Sequence, residues 1–196
     1  MWRWLFIIVV IFFGWRHCST AEINYAAPHQ VIDNAPQQSE VSGLQPIPLQ
    51  DYTIQPVAEF TLEARVLSRE DYWLGREADL SPTDLVLGWG EMAEPKVLEQ
   101  INIRQSGRWY FWQVESFPIP RRNIETQSAN MHLIPANDEV ARTLKQIRPG
   151  QLVTLQGYLV NVNADDGWRW RSSLTREDTG ASACELIYVK QLKIIS

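Results

Sequence analysis

Cysteine is scarce in this chain, which has only Cys18 and Cys184. Cys18 lies beside an apolar N-terminal run and is far in sequence from Cys184, so we do not expect a disulfide between them. No CxxC pair and no Cys/His cluster with zinc-site spacing occurs. The sequence therefore predicts no metal site, and nothing in it indicates a cofactor.

A basic excess is also missing. The chain has 18 Lys and Arg against 23 Asp and Glu, for a formal net charge of −5. Nucleic-acid binders carry a positive excess that neutralises phosphates, so this balance argues against that class. A Gly-rich phosphate loop, a GxSxG elbow and an HExxH motif are all absent from the sequence, which removes the most recognisable enzyme signatures.

An uninterrupted apolar run occupies residues 4–15, with Arg3 before it and Arg16 after it. The run is shorter than the roughly 20 residues that span a bilayer, and its length suits a signal peptide cleaved near Ala21. Arg16 fits an uncleaved anchor better, because a cleaved signal carries its positive charge in front. We expect an anchor in a bacterial inner membrane, with the domain in the periplasm. Secretion after cleavage is the alternative.

The composition divides the chain into three parts. Residues 1–21 are the signal anchor or signal peptide. Residues 22–56 contain five prolines among Gln, Asn and Ser, which is typical of an extended tether. Residues 57–196 form the globular domain.

Period-two alternation marks several strands in that domain, beginning with residues 60–66. Hairpins are predicted at 101–112 and 158–174. The segment Arg108–Trp112 is apolar on both faces, so we expect it to be covered from both sides. The best helix spans about 138–147, and it precedes a long strand, Leu152–Val162, interrupted by Gly157. This order predicts a mostly β (α+β) domain, a small OB-like, partly open barrel with one main helix. A generic small α+β domain is the alternative.

Two further patterns lie between Glu70 and Asp84. The segment Ser81–Asp84 resembles a helix start, with a capping Ser and Pro at the first position. The carboxylates between Glu70 and Asp84 match no calcium-loop spacing, so we interpret them as a solvated face.

Several segments carry a resemblance to a known family. They are EARVLS (63–68), READLSP (76–82), LGWG (87–90), SANMHLIPA (128–136), DGWRWRSSLTREDTG (166–180) and ACEL (183–186). Across residues 60–195 the chain resembles uncharacterised proteobacterial proteins with a short N-terminal anchor. The resemblance implies an envelope location and transfers no activity and no catalytic residue.

The domain has one histidine, His132, and one cysteine, Cys184. A thiol beside an imidazole is the minimum of a cysteine nucleophile, and Asn130 or Glu185 could orient the imidazole. Nothing in the spacing brings these groups together. A buried apolar Cys184 and a hydrogen-bonded His132 are the more ordinary interpretation.

Trp168 and Trp170 alternate with Arg169 and Arg171, so the indoles and the guanidiniums lie on opposite faces of their strand. We expect the indoles to be mostly buried. Ligand contact then falls to Arg169 and Arg171, or to Tyr72 and Trp73 in a polar loop. The leading hypothesis is a membrane-tethered envelope domain that binds a protein or an oligomeric ligand such as an oligosaccharide. The alternative is a thiol-dependent enzyme using Cys184 and His132.

The predicted periplasmic location of the domain can be tested with protease. Protease added to spheroplasts should cut within the tether and release the globular domain, because the positive charge keeps the N-terminus inside. Immunoblotting of the supernatant measures the released fragment. A domain that stays protected until the membrane is lysed would contradict this topology.

Overall fold

A computed structural model of the chain describes Ile32 and residues 34–175 and 184–195. About 50% of the chain is strand and 18% is helix, which confirms the predicted mostly β class. The predicted anchor or signal peptide, residues 1–21, lies outside the described residues. Within the described part, no helix is both long enough and apolar enough to span a membrane.

Ten strands and four α-helices are found in the described residues. The strands are β1 (Gln37–Glu40), β2 (Ile47–Leu49), β3 (Tyr52–Asp71), β4 (Thr83–Gly88), β5 (Asn102–Ser106), β6 (Trp109–Gln113), β7 (Ser128–Pro135), β8 (Leu152–Ala164), β9 (Arg169–Arg171) and β10 (Glu185–Ile194). The helices are α1 (Arg76–Leu80), α2 (Pro95–Leu98), α3 (Arg121–Thr126) and α4 (Asp138–Gln146), with a short 3₁₀ helix at Gly90–Ala93.

Five strands close into a ring in the order β3, β4, β7, β10, β8 and back to β3. The β7–β10 pair is parallel and the other four pairs are antiparallel. Helix α4 connects β7 to β8. Its first turn is capped by Asn137, whose side chain accepts a hydrogen bond from Val140 N at 3.0 Å, and this confirms the predicted helix.

Gly157 is required where two strands approach closely. A Cβ at this position would lie 2.2 Å from the Tyr188 carbonyl oxygen, so only glycine fits. The irregularity that the sequence predicts at Gly157 lies on the partner strand, because β10 bulges between Val189 and Gln191.

The inside of the ring is filled by alternate residues of its strands, such as Phe60, Leu85 and Leu133. Their neighbours along the strands point outward, and these form two smaller apolar clusters. One of them, around Val86, is covered by α2, α3 and the β5–β6 hairpin. The other, around Val160, is covered by α1, β2 and two half-buried indoles, Trp168 and Trp170.

Two expectations are wrong. Residues 83–88 form a fully buried strand and not a helix, because Leu85 and Leu87 fill the ring while Val86 packs outside it. The β6 strand is covered on one face only, since Trp109 and Phe111 are exposed while Tyr110 and Trp112 pack on the outer cluster.

Sheet pairing begins within residues 22–56. Strands β1 and β2 both pair with β3, and β3 itself starts at Tyr52. Ile54 is 0% exposed and packs with Val160 and Val162. The apolar packing thus extends to residues before position 57.

Ile54→Ala tests this packing. It should lower the free energy of unfolding by about 2–5 kcal/mol, as for other large-to-small core substitutions. Urea denaturation followed by tryptophan fluorescence measures the change. Thr53→Val is the matched control, because Thr53 is exposed and valine keeps its β-branched shape. Equal stability of the two variants would show that the segment before Val57 does not belong to the core.

Candidate functional site

An open cleft of about 450 Å³ lies where four distant segments of the chain meet. These segments are helix α1, the tip of the β5–β6 hairpin, the strand β7, and the strand β9 with Ser172 and Cys184 beside it. The lining residues are Glu77, Arg108, Trp109, His132, Arg169, Trp170, Arg171, Ser172 and Cys184.

Asp84 lies beneath this cleft and is 0% exposed. Its Oδ1 accepts a hydrogen bond from Arg108 Nη1 at 2.7 Å. Its Oδ2 lies 2.8 Å from His132 Nδ1, which is an ion-pair distance. A buried carboxylate requires such partners, because leaving it unpaired costs several kcal/mol.

Strand register explains how these groups meet. Glu70 on β3 is the cross-strand neighbour of Asp84 on β4, and Asp84 is the neighbour of His132 on β7. The three side chains therefore form a row across the outer face of the ring. Burial raises the pKa of Glu70, and the negative charge of Asp84 raises it further.

Arg108 occupies an unusual position at the hairpin tip. Gly107 and Arg108 form a two-residue loop in which both φ angles are positive, at 59° and 72°. The left-handed conformation costs a non-glycine residue about 1–2 kcal/mol. Arg108 is held there by its N–H, which donates to the Tyr72 hydroxyl at 3.0 Å, and by its carbonyl, which accepts from Asn130 Nδ2 at 2.9 Å.

Stacked rings and guanidiniums connect the walls of the cleft. The Arg108 guanidinium lies 3.9 Å from the Tyr72 ring centroid and 5.4 Å from that of Trp170. Trp170 in turn contacts Trp168 edge-on at 6.1 Å, and Arg76 lies 5.1 Å from the Trp168 ring. Such cation–π contacts hold three separate loops in one arrangement.

The predicted ligand residues are in different places. Arg169 and Arg171 are exposed and line the cleft, as part of the strand β9. The hydroxyl and the ring of Tyr72 both contact Arg108. Burial raises the pKa of the Tyr72 hydroxyl, and the negative charge of Asp84 raises it further. Trp73 is 84% exposed and does not line the cleft.

His132 and Cys184 both line the cleft, but among the described residues the thiol makes its contacts elsewhere. Cys184 Sγ lies 3.9 Å from the Arg108 carbonyl oxygen and also contacts Asn130. Burial raises the pKa of Cys184 to about 11, and the charges of Glu185 and Asp84 add to the effect. The thiol is therefore protonated at neutral pH, which disfavours a thiolate nucleophile. The carboxylate that lies beside His132 Nδ1 is that of Asp84, while Asn130 bonds to Gln105 and to the Arg108 carbonyl oxygen.

Asp84, Arg108 and Trp109 belong to the site but are not indicated by any sequence motif. Asp84 was assigned to a solvated face, and this is wrong, because the outer face of β4 is covered by Arg108 and the hairpin. A charged residue before the run Leu85-Val86-Leu87 was the available signal. For Arg108 the signal was its place after Gly107 in a two-residue loop, where glycine or asparagine is usual.

No group of three His, Cys, Asp or Glu side chains in the described part of the chain is arranged to hold a metal ion. Comparison of the sequence and the structure with protein-family models, curated proteins and solved structures gave no match. Functional inference therefore depends on the cleft itself.

The setting of Cys184 predicts slow alkylation. In a Cys18→Ser background, iodoacetamide should modify native Cys184 about 100-fold more slowly at pH 7.5 than in the unfolded chain, because each unit of raised pKa removes a factor of ten in thiolate. The rate should climb steadily as the pH approaches 11. Mass spectrometry of timed samples gives the rate.

The control is Thr53→Cys in a Cys18→Ser, Cys184→Ala background, which places a thiol on an exposed strand position. This thiol should react at the same rate in the native and the unfolded chain. If native Cys184 reacts faster than the unfolded chain at neutral pH, its pKa is depressed, and the thiol-dependent enzyme becomes the better interpretation.

Proposed function

We propose that this protein is a membrane-tethered envelope domain with an OB-type barrel, which binds a protein or an oligomeric ligand in the cleft above Asp84. The position of that cleft is the observation that carries the proposal. It lies between the connection from β3 to β4 and the connection from β8 to β10.

The strand order supports the OB-type assignment. The ring places its first strand, β3, between the second, β4, and the fourth, β8, and pairs the third, β7, in parallel with the fifth, β10. A helix joins the third strand to the fourth. In OB-type barrels the loops after the first and the fourth strands contribute to oligonucleotide or oligosaccharide sites. The cleft lies between the equivalent loops of this chain.

The lining of the cleft suits recognition of an extended ligand. Trp109 is 39% exposed, and Trp170 presents part of its ring beside it. Aromatic faces stack on sugar rings and on apolar side chains, while guanidiniums from Arg108 and Arg169 can bind oxygen acceptors. Because Arg108 and Trp170 are fixed by their own neighbours, little side-chain freedom is lost on binding.

The location rests on the sequence. The apolar run at 4–15, with Arg3 and Arg16 at its ends, supports an inner-membrane anchor, and the family resemblance supports the envelope. The acidic balance of the chain makes a nucleic acid a poor ligand. A thiol-dependent enzyme is a weaker proposal, since the raised pKa of Cys184 opposes it.

Photo-crosslinking in intact cells tests the binding site. With p-benzoylphenylalanine in place of Trp109, irradiation should give a heavier adduct of the protein, since this side chain lines the cleft. The control is the same replacement at Phe117, which is 55% exposed and lies outside the cleft. Adducts are detected on immunoblots, and their loss on digestion with protease or with a glycan hydrolase gives the chemical class. Equal adducts at both positions, or none at Trp109, would reject the cleft as the binding site.

A further inference from the structure

The strand β9 borders the cleft and lies at the end of its sheet among the described residues. It is the terminal strand of its sheet and pairs only with β8 among the described residues. Arg169, Trp170 and Arg171 all line the cleft. The edge of β9 opposite β8 has no strand partner among the described residues, and just beyond it Ser173 N donates to the Cys184 carbonyl oxygen at 3.0 Å.

The alternation of hydrogen-bonded and non-hydrogen-bonded pairs between β8 and β9 shows which backbone groups lie on the other edge of β9. The Ala164 N–H donates to the Trp168 carbonyl at 2.9 Å, so this pair is a hydrogen-bonded one. Bonded and non-bonded pairs alternate along an antiparallel ladder. Trp170 therefore directs its N–H and C=O toward Val162, while Arg169 and Arg171 direct theirs away from β8.

An edge of this kind selects a particular class of partner. Arg169 and Arg171 lie two positions apart, and each presents an N–H and a C=O group on this edge. This pattern repeats about every 6.6 Å along a strand. An extended peptide carries the complementary groups in the same repeat, whereas sugar hydroxyls have no such register. Addition of a strand to an open edge is a common mode of peptide recognition.

The charged side chains of the cleft indicate which kind of peptide it would bind. Its lining side chains include three guanidiniums and one carboxylate, that of Glu77. The Arg171 guanidinium is used on β8, where it donates to Val162 O at 2.9 Å and Asn163 Oδ1 at 2.7 Å. The Arg108 guanidinium is paired with Asp84, so Arg169 is left to receive an acidic side chain.

We infer that the cleft takes an extended peptide segment with acidic side chains, which adds as a strand to the edge of β9. This inference rests on the proposed function and specifies its ligand. Arg169 and Arg171 supply the backbone hydrogen bonds, Arg169 also binds a carboxylate, and Trp109 packs against the apolar side chain between two acidic residues.

Two synthetic peptides test the backbone part. The probe is the acetylated and amidated pentapeptide Glu-Val-Glu-Val-Glu. Its partner has the same side chains with both valines N-methylated, so that one edge of its backbone can no longer donate. Binding to the full-length protein in detergent micelles is measured by isothermal titration calorimetry. Strand addition predicts at least a tenfold weaker affinity for the methylated peptide.

A charge exchange tests the acidic preference. Arg169→Glu should weaken binding of the Glu-Val peptide at least tenfold and allow binding of Lys-Val-Lys-Val-Lys. Lys145→Glu is the matched control, because it makes the same charge change on the exposed face of α4, which does not line the cleft. The control should leave both affinities unchanged at 150 mM salt.

The outcomes separate this inference from the proposed function. Equal binding of the two Glu-Val peptides would overturn strand addition and leave a cleft that reads side chains alone. Failure of every peptide to bind, together with a photo-adduct at Trp109 in cells, would overturn the peptide class while the cleft remains a binding site. Failure of the peptides without any adduct at Trp109 would overturn both.

Discussion

The fully buried carboxylate of Asp84 is the constraint on which the site depends. It lies on the outer face of β4, where a solvent-facing side chain would be expected in a simple barrel, and it is covered by Arg108 and His132. Removing one partner of a buried ion pair is expensive, because the remaining charge stays desolvated. The hairpin that supplies Arg108 is therefore fixed against the ring, and one wall of the cleft is fixed with it.

That constraint extends outward through Arg108. Its main chain is held by Tyr72 and Asn130 in a left-handed conformation, and its guanidinium packs between the rings of Tyr72 and Trp170. Arg108 thus connects three parts of the cleft: its own hairpin tip, the loop after β3 through Tyr72, and the strand β9 through Trp170. A site built in this way is organised before a ligand arrives, which lowers the cost of binding.

The sequence allowed the mostly β class and the helix α4 to be predicted, because each depends on a local pattern. The strand β4 could not be recognised in the same way. Ser81 and Pro82 form a plausible helix start, and only the packing of Leu85 and Leu87 inside the ring makes the following segment a strand. Tertiary burial here overrides a local signal.

Long-range pairing explains the other misjudged elements. The polar, proline-rich stretch before Val57 has little hydrophobic period, yet β1 pairs with the middle of β3, some twenty positions further along. The candidate site was predicted only in part. The side-chain chemistry of Arg169, Arg171, His132 and Cys184 marks them as candidates. Asp84 and Arg108 gain their roles only through the register of β4 with β7 and through the hairpin turn. No spacing in the sequence encodes that contact.

The surroundings of Cys184 bear on the two chemistries that the cleft residues suggest. Burial raises the pKa of Cys184, and the charges of Glu185 and of Asp84, the carboxylate that pairs with the Arg108 guanidinium, raise it further. A thiolate would need a positive neighbour, whereas the contact that Sγ makes with Arg108 is to its carbonyl oxygen, at 3.9 Å. Because Arg108 is turned toward Asp84, its charge is directed to the carboxylate and away from the thiol. A fixed guanidinium beside a protonated thiol supports the proposed binding role over a thiolate nucleophile.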